Sequence, residues 1–327
     1  MNAAVYTDEG SCTRRWKKTI EEVTMNYTDV RDALTGPIPS VHTPYTREGE
    51  IDYRSLARLL DAMLEAGARA VVLTAGDSHY EAMSDREVGD VTRFTAQHVN
   101  HRAFMVAADF CYDTKHAVAF ARECAGMDVD MLMVKPPNWQ QSPTPETLAE
   151  HYAAVSREIP VMMVTNIFIP RGPAFGLATV KATMRATDRV LAVKDDMGEA
   201  FARRLTTLVH DRWAVWAGGR KENHLNIAPY GAHGYLSTFL PLMPQVAWDY
   251  WNAWQDGRMA DAIRIIKTID IPFFDFVCKS FSSPNLAFHA IGEICGRTQR
   301  WRPKPYSSAT DAEVELIREW LKERKLI

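Results

Sequence analysis

One lysine in the middle of the chain follows a short apolar run in a way that indicates covalent chemistry. Residues 191–196 read LAVKDD. Side chains alternate between the two faces of a strand, so Lys194 shares its face with the small Ala192. Burial on that face disfavours the charged ammonium, and a neutral amine attacks a ketone to form an iminium that withdraws electrons from the neighbouring carbon. The spacing favours a Schiff-base lysine. A lysine paired with Asp195 or Asp196, or one that reaches solvent, is the alternative.

Histidine and carboxylate side chains offer a second kind of chemistry, metal-assisted catalysis. The chain has 10 histidines, but no His-Glu-x-x-His motif and no tight cluster of metal ligands. The side chains that could still converge at strand ends are His42, Asp77, His79 and Asp109. No Gly-x-Ser-x-Gly elbow occurs, which disfavours a serine hydrolase. The sequence therefore predicts no metal and no other cofactor.

Eight short apolar runs with β-strand composition alternate with segments of helical periodicity, and these elements must position the lysine. The runs are residues 37–43, 70–74, 104–108, 131–134, 161–165, 191–195, 213–217 and 234–238. Repeated strand–helix units predict a parallel (β/α)8 TIM barrel, whose active site lies at the carboxyl ends of the strands. An open doubly wound sheet is the alternative, although the first unit lacks the glycine fingerprint of that fold.

Helix-start signals fall between the apolar runs and support the same architecture. They are Asp52 before a leucine-rich segment, the capping box from Ser84 to Glu87, Thr144 before Pro145, and Thr310 before the last helix. After residue 240 the strand pattern stops and the chain reads as helical. We therefore expect an N-terminal extension (1–35), a barrel (36–240) and C-terminal helices packed on the barrel (241–327).

Charge and composition exclude several classes of function. The net charge is −3 with lysine and arginine spread along the chain, which argues against a nucleic-acid or membrane-surface partner. No apolar run is long enough to span a membrane, and the first residues lack the apolar core of a signal peptide. The 5 cysteines are odd in number and none are at C-x-x-C spacing, which favours a reducing compartment. We expect a cytoplasmic protein.

Four segments resemble a known family in their order and spacing. They are HTPYTREGEIDYRSLARLLDAMLEAGARAVVLTAGD (42–77), VKPPNW (134–139), PVMMVTNI (160–167) and VKDDMGE (193–199). Together they make the chain similar, over residues 36–327, to the dihydrodipicolinate synthase / N-acetylneuraminate lyase superfamily. The resemblance implies a class I lyase that acts on a 2-oxo acid such as pyruvate, by aldol cleavage, aldol condensation or dehydration. It also implies a homo-oligomer, either a tetramer or a dimer.

The resemblance assigns roles to individual residues. It implies that Lys194 forms the imine and that backbone N–H groups around Thr74 and Ala75 hold the substrate carboxylate. Thr165 stands where the family has its proton-relaying tyrosine, and Arg171 lies near the position of an arginine that binds a distal carboxylate. The remaining residues predicted to line the substrate site are Gly76, Asp77, Gly218, Gly219 and Leu236.

Several positions depart from the family pattern, and they concern proton transfer. A threonine hydroxyl at residue 165 has a shorter reach than tyrosine and a far higher pKa, so it can position a water but is a poor acid–base. A second family tyrosine is replaced near Pro137 and Asn138, and Ala75 replaces a threonine. Candidates for another acid–base are His42, Tyr45, Asp77, His79 and Tyr80. A family member that binds a 2-oxo acid or other ligand without turnover is the alternative function.

Overall fold

Eight parallel strands alternate with helices and form the barrel that the sequence predicts. A computed structural model describes residues 25–327. The strands are β1 (Gly36–Ile38), β2 (Ala70–Val72), β3 (Phe104–Ala108), β4 (Met131–Val134), β5 (Val161–Val164), β6 (Val190–Asp195), β7 (Ala214–Ala217) and β8 (Gly234–Leu236). Their order is β1-β8-β7-β6-β5-β4-β3-β2, with parallel pairing throughout. The (β/α)8 class is therefore confirmed, and the open doubly wound sheet is excluded.

The barrel closes between its first two strands through the segment that follows β1. A parallel bridge joins Ser40 to Val72, and the Val41 N–H donates to the Val72 carbonyl at 2.9 Å. The predicted first strand, residues 37–43, is consequently longer than β1 itself. Pro39 has no N–H to donate, which is consistent with a ladder that ends at Ile38 and resumes as isolated contacts.

Helices surround the barrel and continue beyond it. They are α1 (Tyr27–Ala33), α2 (Tyr53–Glu65), α3 (Asp85–Val99), α4 (Thr114–Gly126), α5 (Pro145–Ser156), α6 (Gly172–Ala186), α7 (Glu199–Val209), α8 (Lys221–Ile227), α9 (Pro244–Gln255), α10 (Met259–Ile265), α11 (Ile271–Ser280), α12 (Pro284–Ile294) and α13 (Asp311–Glu323). Short 3₁₀ segments follow β2, β4, β5 and α8, the longest being Thr165–Arg171 after β5, and a π-helical turn joins α10 to α11. No helix in residues 25–327 is long and apolar enough to cross a bilayer.

The predicted caps are present at the helix starts. The Asp52 side chain accepts the Ser55 N–H at 3.0 Å at the start of α2. Ser84, Thr144 and Thr310 each accept the backbone N–H of the residue three positions later, which satisfies donors that have no partner inside the helix. These local signals fix where the helices that flank the barrel begin.

The segments outside the predicted barrel pack against it. In the N-terminal extension, residues 1–24 lie outside the described part, whereas α1 buries Val30 and the following Leu34 fully. At the other end, the buried Asp270 binds the amine of Lys221 at 2.8 Å and so ties the π-helical turn to α8. The Trp251 side chain of α9 is also buried. Both terminal segments therefore contribute to the core around the strands.

Candidate active site

A polar cavity of about 180 Å³ opens at the carboxyl ends of the strands. Several residues that the sequence predicts for the site line it: Thr74, Ala75, Gly76, Asp77, Lys194 and Leu236. The lining also includes Glu81, Ala108, Asp109, Met133, Lys135, Val164 and Asn166. The cavity therefore joins the ends of β2, β3, β4, β5, β6 and β8.

Lys194 lies on the inner face of β6, and only 8% of the residue is exposed. Its Nζ is 2.5 Å from Oδ1 and 2.6 Å from Oδ2 of Asp196. The pairing with Asp196, which was the alternative to a free amine at this position, is therefore present. The amine nevertheless borders the cavity, so it is both ion-paired and within reach of a ligand.

The Asp196 carboxylate occupies a space that only glycine at residue 218 leaves open. A Cβ on Gly218 would lie 1.9 Å from Asp196 Oδ1 and 2.7 Å from the Asp195 carbonyl oxygen. The Gly218 N–H also donates to that carbonyl at 2.7 Å. Gly218 is absent from the cavity lining. Gly218 therefore holds the loop after β6, and its predicted contact with substrate stays a prediction.

Thr165 and Asp195 face away from the cavity and hold the same loop. The Thr165 hydroxyl donates to Asp195 Oδ1 at 2.9 Å and accepts the Asp196 N–H at 2.8 Å. Asp195 also accepts the Gly198 N–H at 2.9 Å. Burial raises the pKa of Asp195, and the hydrogen bonds from Gly198 and Thr165 oppose that rise. The Thr165 hydroxyl is therefore engaged with the loop after β6, and Thr165 is absent from the cavity lining. Its predicted catalytic role stays a prediction.

The loop after β2 presents backbone donors to the cavity. The Thr74 hydroxyl accepts the Asp77 N–H at 3.0 Å, and Asp77 Oδ2 accepts the Ser40 hydroxyl at 2.6 Å. Within the described chain, the N–H groups of Ala75 and Gly76 have no acceptor. Unpaired N–H groups beside a cavity attract an anion such as a carboxylate. This arrangement agrees with the carboxylate site that the resemblance implies.

Lys135 and Asp109 are two charged residues of the site that the sequence did not assign to substrate. Lys135 Nζ lies 5.3 Å from the Phe110 ring centroid, and its N–H donates to Asp109 Oδ1 at 2.6 Å. Burial raises the pKa of Asp109 to about 7. Strand alternation could have found Lys135, because Met133 and Lys135 must point to the same side.

Two other predicted residues lie outside the cavity lining. Arg171 donates to the carbonyl oxygens of Gln141, at 2.5 Å, and Pro143, at 3.0 Å, and its guanidinium stacks 3.8 Å from the Phe175 ring centroid. It therefore joins two loops instead of facing the cavity. Gly219 has a φ of +75° at the turn before α8 and is also absent from the lining.

The remaining acid–base candidates, His42, Tyr45, His79 and Tyr80, are buried. His79 Nε2 lies 3.0 Å from His289 Nε2, and His42 Nε2 lies 3.9 Å from Asp77 Oδ1. Burial lowers the pKa of His79 to about 3 and also lowers the pKa of His42. Tyr45 and Tyr80 are buried, with pKa values raised by burial. No group of three or more His, Cys, Asp or Glu side chains in residues 25–327 is arranged to hold a metal.

Comparison with known proteins supports the resemblance seen in the sequence. The profile of the Dihydrodipicolinate synthetase family matches residues 33–322. One relative, the 4-hydroxy-tetrahydrodipicolinate synthase of Psychrobacter sp. (strain PRwf-1), is 27% identical over 247 residues, which cover 75% of this chain and 80% of the relative. Another, the putative 2-dehydro-3-deoxy-D-gluconate aldolase YagE of Escherichia coli (strain K12), is 23% identical and covers 85% of this chain and 92% of its own length.

Solved structures show the same fold. The N-acetylneuraminate lyase from Fusobacterium nucleatum has a TM-score of 0.79 at 14% identity, covering 89% of this chain and 98% of its own. YagE in complex with pyruvate has a TM-score of 0.77 at 21% identity, covering 90% of this chain and 99% of its own. At these identities the likeness concerns the fold of the chain.

Proposed function

Because the chain belongs to the dihydrodipicolinate synthetase family, a family of lyases, we propose that it is a class I lyase that forms a Schiff base between Lys194 and a 2-oxo acid. One observation carries the proposal. The Lys194 amine borders a polar cavity whose opposite wall holds the unpaired N–H groups of Ala75 and Gly76. A 2-oxo acid needs a nucleophile at its carbonyl carbon and donors at its carboxylate, and the cavity offers both.

The chemistry of the complex follows from the iminium. Once Lys194 is joined to C2 of the substrate, the positive nitrogen accepts the electron pair released when a bond at C3 breaks. Loss of a proton from C3 gives the enamine, and cleavage to the fourth carbon gives an aldehyde. Loss of water from a hydroxyl-bearing substrate gives a dehydrated product. All three outcomes use the same lysine, so aldolase and dehydratase activities both fit the site.

Binding without turnover is the second candidate function, and one observation favours it. Both carboxylate oxygens of Asp196 hold the Lys194 Nζ, and an amine held in this ion pair has no lone pair free to attack a ketone. In such a protein the cavity would hold a 2-oxo acid or other ligand while the lysine stayed protonated. The two functions differ in whether a covalent adduct forms and whether product follows.

The first prediction concerns the covalent adduct. Sodium cyanoborohydride is added to the full chain with a panel of 2-oxo acids that includes pyruvate, and intact mass and peptide mapping locate any adduct. We expect a reduced adduct on Lys194 in the wild type and in Lys181→Arg, an exposed control lysine on α6, but none in Lys194→Arg. Lack of turnover of every tested substrate, with or without an adduct, supports the binding function. Absence of an adduct with every 2-oxo acid overturns the proposal.

The oligomeric state and the compartment stay predictions. The resemblance implies a tetramer or a dimer, which multi-angle light scattering of the purified chain measures. The predicted cytoplasmic location is tested by fractionation of cells that express the protein.

A further inference from the structure

We propose that Asp196 is the acid–base partner of Lys194, taking the proton of its ammonium group and delivering it to the oxygen that leaves as water. The inference rests on the proposed Schiff-base function. It assigns the proton transfer, for which the family uses a tyrosine at the position of Thr165, to a carboxylate one residue beyond the strand. The ion pair is then the resting state of a catalytic pair.

The contact geometry meets what a proton transfer needs. Both carboxylate oxygens of Asp196 lie within 2.5–2.6 Å of Lys194 Nζ, so one oxygen can accept a proton while the other keeps its hydrogen bond. The Asp196 side chain is 21% exposed, whereas that of Lys194 is 10% exposed. The carboxylate can therefore exchange protons with water while the amine stays inside the cavity wall.

The position of the carboxylate is built by surrounding residues. Asp196 has its N–H held by the Thr165 hydroxyl at 2.8 Å, and its Oδ1 occupies the volume that a side chain at Gly218 would fill. The Thr165 hydroxyl is itself oriented by Asp195. These three neighbours are positioning residues, because they act on substrate only through the carboxylate.

Other carboxylates around the cavity have different partners. Asp77 accepts the Ser40 hydroxyl at 2.6 Å, and Glu81 accepts the Tyr306 hydroxyl at 3.2 Å. Of the carboxylates in residues 25–327, Asp196 is the one within ion-pair distance of the amine. Distance alone therefore assigns proton transfer at the imine nitrogen to Asp196.

The proposed steps conserve protons and electrons. The Lys194 ammonium gives a proton to Asp196, and the amine lone pair forms the bond to C2 of the 2-oxo acid while the carbonyl π pair moves to oxygen. The excess proton on nitrogen moves to that oxygen, which gives a neutral carbinolamine. Asp196 then returns its proton to the carbinolamine hydroxyl, the C–O bond breaks, water leaves, and the nitrogen lone pair completes the iminium. Ammonium and ketone have become iminium and water, and the carboxylate is regenerated.

The test measures the rate of adduct formation with pyruvate at saturating cyanoborohydride, where imine formation limits the rate. General acid–base groups contribute about 100-fold or more, so we expect Asp196→Asn to trap pyruvate about 100-fold more slowly than the wild type at neutral pH. Asp196→Glu keeps the carboxylate and should recover part of the rate. Asp188→Asn is the matched control, because Asp188 is exposed two residues before the start of β6 and should trap at the wild-type rate.

The outcomes separate the inference from the function on which it rests. If the carboxylate only holds the amine charged, removing it frees the lone pair, and Asp196→Asn traps as fast as the wild type or faster. That result overturns the inference alone. A wild type that forms no adduct overturns both. Thermal unfolding checks that Asp196→Asn is folded, and Asp196→Ser replaces it in the same assay if it is not.

Discussion

Two adjacent aspartates, at the last residue of β6 and directly after it, have opposite surroundings although they have the same side chain. Asp195 points outward, is almost fully buried, and accepts hydrogen bonds from Thr165 and Gly198. Asp196 points inward and binds Lys194. Strand alternation explains the difference, because neighbours in a strand face opposite sides. One carboxylate therefore fixes the loop, and the other reaches the amine.

The second prediction is that Thr165 acts through this loop. Thr165→Val keeps the shape but leaves the Asp196 N–H and one Asp195 oxygen short of a partner, which costs about 1–3 kcal/mol of unfolding free energy. Urea unfolding measures that loss, and adduct trapping should slow because the carboxylate loses its support. Thr165→Ser keeps the hydroxyl and should change both quantities far less. A Thr165→Val variant with wild-type stability and trapping rate would contradict this role.

Residue orientation was predictable from sequence only where strand periodicity was followed to the end. Alternation along β6 correctly put Lys194 on the inner face. The same rule, applied to β5, puts Val164 inside and Thr165 outside, but alignment with the family tyrosine favoured the opposite. The orientation of Arg171 was not predicted, for another reason. It is the last residue of a 3₁₀ segment, Thr165–Arg171, whose geometry is not indicated by any apolar periodicity in the sequence.

At the scale of elements, the eight strands were predictable because each is a short apolar run buried on both sides. The ends of the strands were less predictable. The predicted first strand extended to residue 43, whereas β1 ends at Ile38 and the following residues pair with β2 only singly. Apolar composition continues into such a loop when the loop is buried, and composition alone does not separate ladder from loop.

A buried ion pair connects the barrel to the C-terminal helices, and no sequence pattern pointed to it. Lys221 and Asp270 are both about 1% exposed, and they are 49 positions apart in the chain. Lys221 Nζ also lies 3.8 Å from the Phe239 ring centroid. Burial lowers the pKa of Lys221, and Asp270 opposes that shift. Partners this distant in sequence leave no periodic signal.

The third prediction follows from that pair. Asp270→Asn leaves the Lys221 charge buried without a counter-charge, which should cost about 3–5 kcal/mol of unfolding free energy in urea titrations. The double variant Lys221→Met, Asp270→Leu should recover much of the loss, because no charge remains. The control is Asp275→Asn, which breaks the exposed pair with Lys279 and should cost less than about 1 kcal/mol. Equal losses of unfolding free energy in Asp270→Asn and Asp275→Asn would contradict this role of the buried pair.

For the whole molecule, the burial of individual histidines affects the pH dependence of stability more than the net charge does. The net charge is only −3, but several histidines are held in the interior. Burial lowers the pKa to about 3 for His79 and His224 and to about 4 for His151 and His233. When the chain unfolds at a pH below the ordinary histidine pKa, each of these rings must take up a proton. Composition alone shows how many histidines there are but not how many are buried.

The last prediction concerns His224, which is fully buried with its Nδ1 2.8 Å from the Tyr250 hydroxyl. Its folded pKa of about 3 lies below the ordinary value of 6.5, so the unfolded chain binds the proton more tightly. Its contribution to stability is therefore full above pH 6.5 and is lost as the pH falls from 6.5 towards 3. Linkage gives a loss of about 1.4 kcal/mol between pH 7.5 and pH 5.5. In urea titrations at both values, His224→Gln should lower the pH dependence by about that amount, whereas exposed His210→Gln should not. An unchanged pH dependence in His224→Gln would contradict this, because it would mean that the ring has the same pKa in the folded and the unfolded chain.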